Sequence, residues 1–240
     1  QDAYSIRWIP QVHGASRDAI KYVEKIVTTE INSATDNPLI FPRERIHLEG
    51  GNFHGQPIAL AADFLAIALA ELANISERRI ERLVNGSLAD LPQFLTNKGG
   101  LHSGLMMTQY TAASIVSENK VLCHPASVDS IPTGANLEDH NSMGSIAAQK
   151  LWRVLNNVWT VVAIEFLCAC QGLDFTRQRS EGRRPMHCGK GTEAAYQFFR
   201  KRLSHLEDDR VLFDDIENSL HIVKEAKLLE AVEKTIGSLD

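Results

Sequence analysis

Three titratable side chains follow one another in the stretch PTGANLEDHNS, which covers residues 132–142. Glu138, Asp139 and His140 come directly after a turn signal. Two carboxylates and an imidazole could transfer protons or bind a metal ion. They could also open a helix, because Asn136 is a good N-cap and acidic residues in a first turn offset the helix macrodipole. The residue types alone leave these three interpretations open.

Metal binding requires more ligands than this stretch supplies. Glu138 and His140 need partners at a recognisable spacing, and the sequence contains no H-E-x-x-H pair. Cys168 and Cys170 form a C-x-C with no second cysteine pair, so we predict that they pack as buried apolar side chains. We therefore predict no metal site.

A second unusual stretch, GGNFHGQP, covers residues 50–57. Its glycines permit close approach of the backbone, and Phe53 beside them could be presented to a ligand. The structural alternative is that Phe53 packs against the start of the helix that follows. Spacing does not decide between these two roles.

These residues belong to a chain of 240 residues with a hydrophobic share of 44%, a charged share of 23% and a formal net charge of −5. Such values are ordinary for a soluble globular protein. The negative charge argues against a nucleic-acid-binding face, which needs clustered Lys and Arg. We expect a small-molecule substrate or a soluble partner.

The start of the chain and the cysteines bear on location. The first residues, QDAYSIRWIPQVHG, contain no basic segment that leads into an apolar one, and four cysteines at uneven spacing do not form a disulfide framework. We therefore predict reduced thiols in a cytoplasmic protein. Because the chain starts inside a mixed apolar and polar pattern and without an initiator Met, we expect it to be a fragment of a longer protein.

The patterns along the chain are overwhelmingly helical. Apolar residues recur at three- and four-residue steps from Ser16 to about Ala34, and the prolines of DNPLIFP stop that helix. A loop follows, with a short hairpin around Ile46 and Leu48. Further helices are predicted for residues 56–86, Ser103 to Leu122, about Glu138 to Gly172, Thr192 to Leu203 and Ile216 to Ile236, with a basic loop at 176–191.

This order predicts an all-α fold, a bundle of long, largely buried and mostly antiparallel helices. The helix after Gln56 is apolar on nearly every side, but Asp63 and Glu71 would each be costly in a bilayer, so we predict no membrane span. We expect such helices to build the core of an oligomer instead. We divide the chain into a helical core, residues 1–175, and a basic loop with shorter helices, residues 176–240.

Six stretches together resemble the carboxy-terminal half of the histidine ammonia-lyase family, within the aromatic amino acid lyases. The resemblance extends from residue 1 to about Phe175. It rests on long and specific runs of sequence: QDAYSIR, TDNPLIF, GGNFHGQPIALAADFLAIALAEL, SERRIERL, GGLHSGLMMTQYTAASIVSENK and HPASVDSIPTGANLEDHNSM.

The resemblance implies an all-helical homotetramer that eliminates ammonia from L-histidine to give trans-urocanate. The family uses no dissociable cofactor. Its electrophile is a methylidene-imidazolone, made by cyclisation of an Ala-Ser-Gly tripeptide within the protein. This sequence contains no Ala-Ser-Gly, since Gly14 to Ser16 read GAS and Arg17 follows. We expect the tripeptide in a missing amino-terminal half, and we expect the chain alone to be inactive.

The resemblance also assigns roles to five positions. Gln1, Tyr4 and Arg7 fall on the family run Q-D-x-Y-S-x-R, in which the arginine pairs with the substrate carboxylate while the tyrosine and the glutamine line the space around the electrophile. Phe53 falls on the aromatic residue beside the electrophile. Glu138 falls on the glutamate that faces the substrate imidazole, and we assign catalytic roles to Tyr4 and Glu138.

Glu138 favours histidine over other aromatic amino acids, because an imidazole offers N–H donors that a carboxylate accepts. The phenylalanine and tyrosine lyases instead have a sequence like N-Q-D at the position that corresponds to Glu138. Leu137 departs from the family, which commonly has Gln there. Asp139, His140 and His54 are expected to cap the helix or to support the loop. The alternatives are a fragment of a phenylalanine or tyrosine ammonia-lyase or aminomutase, and a noncatalytic helical oligomerisation module.

Overall fold

The structure is a computed structural model that describes residues 1–179 and 188–239. Within these residues the fold is all-α, as predicted, with one antiparallel hairpin in which Ile40 pairs with His47. The hairpin strands are β1 (Leu39–Phe41) and β2 (Ile46–Leu48). The described helices are α1 (Tyr4–Arg7), α2 (Ile9–Ile31), α3 (Gln56–Val84), α4 (Met106–Leu122), α5 (Gly144–Arg179), α6 (Lys190–Arg200), α7 (Leu212–Lys224) and α8 (Ala226–Ile236).

The long helices follow the apolar periodicity of the sequence. Helix α3 starts at Gln56 with Pro57 in its first turn, where the missing N–H has no helical partner to lose. Helix α2 tolerates Pro10 for the same reason and starts at Ile9, earlier than the predicted Ser16. Periodicity therefore located these helices correctly, and their first residues depended on turn chemistry.

Other predicted helix boundaries were also wrong. Helix α5 begins at Gly144 and not at Glu138, because the backbone groups of Glu138 pair with Thr133 and the N–H of Asn141 donates to the Ser130 hydroxyl, so these groups are not used in helical hydrogen bonds. The last predicted helix is two helices, since Glu225 is extended with φ −74° and ψ 129°. The predicted basic loop 176–191 is helical up to Arg179, and its residues 180–187 lie outside the described residues.

The chain forms two compact units. In the first, Ile80 of α3, Ile164 of α5 and Phe199 of α6 are completely buried and form part of the core. The Ser219 hydroxyl of α7 donates to the carbonyl of Ala163 at 2.6 Å and ties α7 to α5. This unit consists of Gln1–Ile6, Ala73–Ser117 and Asn157–Asp240. The boundary predicted near residue 175 rests on resemblance rather than compactness and stays a prediction.

The second unit consists of Arg7–Leu72 and Glu118–Asn156. In this unit α2 and α3 are antiparallel, because residues further along α2 contact residues nearer the start of α3. The Ser16 hydroxyl donates to the carbonyl of Ala68 at 2.9 Å, while the Tyr22 ring meets the Phe64 ring edge-on at 5.7 Å. Small alanines at the contact allow the helix backbones to approach closely.

Helices α3 and α5 are long and apolar enough to cross a membrane by length and composition. Helix α3 nevertheless contains Asp63, whose side chain is only 5% exposed and lies 3.3 Å from the Lys150 ammonium. A paired charge of this kind is ordinary in the core of a soluble helical protein. The absence of a membrane span therefore stays our prediction.

Candidate functional site

Glu138 lies in a tight loop that its own neighbours close. The backbone N–H of Thr133 donates to the carbonyl of Glu138 at 3.0 Å, and the N–H of Glu138 donates back to Thr133 at 3.3 Å. The Thr133 hydroxyl donates to the Glu138 carboxylate. Gly134 between them has φ +57°, and a Cβ there would meet the Glu138 side chain at 3.2 Å. This turn therefore favours glycine at position 134.

The wider loop, residues 130–141, is fastened at its ends and centre by two polar side chains. The Ser130 hydroxyl accepts from the N–H of Asn141 at 2.8 Å and donates to its carbonyl at 3.1 Å. The Asn141 amide nitrogen lies 2.8 Å from the carbonyl of Ile131 and 3.0 Å from that of Glu138. We call residues 130–141 the Glu138 loop. Its hydrogen bonds hold the exposed carboxylate in a defined place.

The segment that carries Phe53 contacts the end of the Glu138 loop. The His54 Nε2 lies 3.0 Å from the carbonyl oxygen of His140, and the two imidazole rings are 5.4 Å apart. A Cβ on Gly55 would lie 2.9 Å from the Ser142 hydroxyl, so a side chain there would have to displace the Ser142 side chain. The structure therefore brings together the two segments that bear Phe53 and Glu138.

Phe53 itself is 55% exposed, so most of its ring is not packed against the start of α3. His54 and His140 support the loop, in agreement with the prediction for them. Asp139 and His140 do not cap a helix, because α5 begins only at Gly144. The helix-opening interpretation of this stretch is therefore wrong.

The first half of α3 anchors the chain that leads into the Glu138 loop. The Asp63 carboxylate accepts from the N–H of Ser127 at 2.7 Å, and the Gln56 amide donates to the carbonyl of the same residue at 3.0 Å. Lys150 of α5 reaches both Asp63 and the carbonyl of His124. Ser127 is thus held at both of its backbone polar groups by α3.

Burial by itself would raise the pKa of Asp63, but the N–H of Ser127 and the positive charge of Lys150 outweigh it. The pKa of this carboxyl lies below its ordinary value as a result. Asp63 is therefore ionised at neutral pH, and its charge is matched by the ammonium group.

Gln1, Tyr4 and Arg7 lie at the start of the chain, in and just before the single turn of α1. The Tyr4 side chain is 69% exposed. The Arg7 guanidinium lies 5.2 Å from the centre of the Trp8 ring, a cation–π distance. The carbonyl of Ser5 is 3.5 Å from Arg79. The predicted roles of these three residues toward a substrate stay predictions.

Sequence patterns missed the residues that position the site. Thr133, Asn141 and Gln56 act through hydrogen bonds that no local motif announces. Asp63 gave a signal, because a charge inside an apolar helix requires a partner, but Lys150 is 87 residues away. Sequence position alone could not pair them.

Cys168 and Cys170 are buried, as the apolar-packing interpretation predicted. Burial raises the pKa of each thiol to about 12, so both stay protonated. Among the residues that the structure describes, there is no group of three or more His, Cys, Asp or Glu side chains that could hold a metal ion.

The chain matches the model of one protein family and is similar to curated and solved proteins of the same kind. The family model, described as aromatic amino acid lyase, matches residues 1–201 and so continues past Phe175. Histidine ammonia-lyase of Alkaliphilus oremlandii is 58% identical over 236 residues, which are 98% of this chain and 45% of that protein. The chain thus spans less than half the length of the curated relatives it matches.

Two solved structures show the same fold. Histidine ammonia-lyase from Trypanosoma cruzi superposes with a TM-score of 0.91 at 48% identity, over 98% of this chain and 45% of that one. Tyrosine aminomutase from Streptomyces globisporus superposes with a TM-score of 0.89 at 40% identity, over 98% of this chain and 44% of that one. With the family match over most of its length, this chain belongs to the aromatic amino acid lyase family.

Proposed function

We propose that this chain is the carboxy-terminal part of a histidine ammonia-lyase, which eliminates ammonia from L-histidine to give trans-urocanate. The observation that carries the proposal is the 58% identity to a histidine ammonia-lyase over 98% of the chain. The identity to tyrosine aminomutase over the same share is lower, at 40%. The histidine-specific relatives are therefore the better guide to the substrate.

Glu138 supports the choice of histidine. Its carboxylate lies on a loop closed by Thr133 and held at Asn141, so the acceptor has a fixed direction. A carboxylate in that place accepts a hydrogen bond from the substrate imidazole, and it can hold or receive a proton there. An amino acid with a phenyl ring offers no such donor. Discrimination then follows because a phenyl substrate leaves the carboxylate without the donor that an imidazole supplies.

Arg7 is proposed to bind the other end of the substrate. A guanidinium fork pairs with a carboxylate through two parallel hydrogen bonds, which fixes orientation as well as charge. Every amino acid has the same carboxylate, so this contact gives affinity without selectivity. With Glu138 at the imidazole, the two residues would set the length of substrate that fits.

Tyr4, Gln1 and Phe53 are proposed to face the electrophile carried by the other half. The Tyr4 and Phe53 side chains are 69% and 55% exposed in this chain, so another segment can cover part of each ring. The methylidene-imidazolone would supply the electrophilic carbon that this chain lacks. The Tyr4 phenol can donate or accept a proton beside the substrate, and Gln1 offers an amide that orients polar groups.

The assembly is proposed to be a cytoplasmic homotetramer in which the missing amino-terminal half, with its Ala-Ser-Gly, is joined to this chain. The support is the number of apolar side chains on α3 that are half exposed, among them Leu60, Phe64 and Ile67 at 52%, 45% and 47%. Such a face is unusual for a monomer.

The experiment that tests the substrate is a comparison of L-histidine, L-tyrosine and L-phenylalanine with the complete enzyme, in which this chain is joined to an Ala-Ser-Gly half. We expect urocanate from histidine and little or no product from the other two. Faster formation of coumarate or of a β-amino acid from tyrosine would replace histidine ammonia-lyase with the tyrosine alternatives. Inactivity on all three, in a folded and oligomeric protein, would favour the noncatalytic module.

A further inference from the structure

His54 follows Phe53, and its hydrogen bonds define which ring nitrogen carries the hydrogen. The backbone N–H of Gln56 points at the Nδ1 of His54 from 3.3 Å, and a backbone N–H can only donate. The Nδ1 of His54 must therefore present a lone pair. Its other nitrogen, Nε2, lies 3.0 Å from the carbonyl oxygen of His140, which can only accept. His54 is thus the neutral tautomer with its hydrogen on Nε2.

This one imidazole joins two segments that are 86 residues apart in sequence. One end is fixed to the start of α3 through Gln56, and the other end is fixed to the last part of the Glu138 loop through His140. The His140 Nδ1 lies 3.4 Å from the same Nε2 and adds a weaker contact. His54 therefore connects the segment of Phe53 to the loop of Glu138.

The connection matters because the same two segments also lie close together one residue later. A Cβ on Gly55 would lie 2.9 Å from the Ser142 hydroxyl, and one on Gly144 would lie 3.5 Å from the carbonyl of Gly55. The His54 hydrogen bond adds a second point of attachment between the two segments and so restrains how one can turn relative to the other. The position of Phe53 relative to the Glu138 loop is restrained with it.

We propose that His54, in its Nε2–H tautomer, is a positioning residue that sets the gap between Phe53 and Glu138 and so determines how well an imidazole ring is seated. The proposal rests on the proposed function, because it assigns the substrate ring to that gap. His54 touches neither substrate nor electrophile in this account, and it acts only through the two segments it joins.

Two substitutions of similar polarity separate this role from a general structural one. In His54→Gln the amide nitrogen occupies a place near Nε2 and can still donate to the carbonyl of His140. In His54→Asn the shorter side chain can serve the Gln56 N–H but cannot reach that carbonyl. A third variant, His140→Ala, keeps the backbone carbonyl and removes only the ring contact.

The experiment measures two quantities on the complete enzyme: kcat for L-histidine, and hydrogen exchange of the amides of residues 133–138. We expect His54→Asn to lower kcat by about tenfold and to speed exchange in the loop by a similar factor, the size of one lost hydrogen bond. We expect His54→Gln and His140→Ala to stay within about threefold of the parent in both quantities.

Equal effects of the Asn and Gln variants would overturn the proposal, and so would unchanged loop exchange in His54→Asn. Faster exchange with unchanged kcat would also overturn it, because the loop would then move without consequence for the reaction. If the parent enzyme forms no urocanate, the proposed function fails, and the exchange data still decide whether His54 fixes the loop.

Discussion

At the scale of single residues, Glu138 had two competing explanations, and the backbone around it removes one of them. A residue in the first turn of a helix offsets the macrodipole, but α5 starts at Gly144 and Glu138 lies in the preceding turn. The carboxylate is instead paired with the Thr133 hydroxyl and otherwise exposed. The role toward substrate that the resemblance assigns to Glu138 stays a prediction.

The substitution Glu138→Gln tests the role toward substrate. The amide oxygen can still accept from Thr133, so the loop should keep its shape and the melting temperature should change little. The substitution removes the carboxylate that is proposed to accept a hydrogen bond from the imidazole. We therefore expect histidine turnover in the complete enzyme to fall by about two orders of magnitude or more. Turnover and melting temperature are measured on one preparation. Normal turnover would rule out Glu138 as a site residue.

The substitution Arg7→Ala should act without regard to the side chain of the substrate. Loss of a desolvated charge-assisted pair costs about 2 to 5 kcal/mol, and every amino acid substrate has the same carboxylate. We expect KM or the inhibition constant of histidine and of phenylalanine to rise together. Arg7→Lys, which keeps the charge without the fork, should lose part of that effect. A loss confined to histidine would contradict the assignment.

At the scale of elements, the first half of α3 is the scaffold of the candidate site. It begins directly after His54, and its Asp63 and Gln56 hold the two backbone groups of Ser127. A charged residue in so apolar a helix is explained by this contact together with Lys150. One helix thus supports both the segment that bears Phe53 and the Glu138 loop.

The pH dependence of stability should reveal the contribution of the ionised Asp63 carboxylate. Its pKa is lowered in the folded protein, so its contribution is fully present above the ordinary carboxyl pKa of about 3.9 and is lost as pH falls through the lower folded value. We expect Asp63→Asn to be about 2 kcal/mol less stable than the parent at pH 7. The difference should shrink below a pH of about 4.

Thermal unfolding of the parent and of Asp63→Asn between neutral and acidic pH measures that difference. The control Asp18→Asn removes an exposed carboxylate on α2, and its stability should follow the parent throughout. A stability difference for Asp63→Asn that stays constant at every pH would show that the ion pair with Lys150 is not its source.

The elements were more predictable than the site they hold. Apolar periodicity extends over many residues, so errors at single positions average out, and α2, α3 and α4 appear near their expected places. The Glu138 loop depends on left-handed backbone at Ala135 and Asn136, which are not glycines. Its fixation depends on pairs such as His54 and His140. Neither feature has a local pattern, and only the resemblance identified Glu138.

At the scale of the whole molecule, the exposed apolar face of α3 indicates assembly, whereas the apolar middle of α5 does not. The apolar side chains near Leu60 are about half exposed, whereas those from Val158 to Leu167 are largely buried within the chain. Val161 and Ile164 are completely buried. The case for an oligomer therefore rests on the first half of α3.

We expect the complete enzyme to be a tetramer in solution, because a half-exposed apolar face of this kind is stable only when it is covered. Light scattering at micromolar concentration should give about four times the mass of one chain. Replacing Leu60 and Ile67, which are 52% and 47% exposed, by Lys should reduce that mass without unfolding the second unit. A single-chain mass for the parent would contradict this expectation.

The central claim is that this chain supplies the substrate-recognising residues of a histidine ammonia-lyase and that the electrophile comes from elsewhere. The most direct test follows urocanate at its ultraviolet band for this chain alone and for the chain joined to the Ala-Ser-Gly half. We predict no urocanate from the chain alone, urocanate from the joined enzyme, and none when the tripeptide serine is replaced by alanine. Urocanate from the isolated chain, or its absence from a folded joined enzyme, would contradict the account.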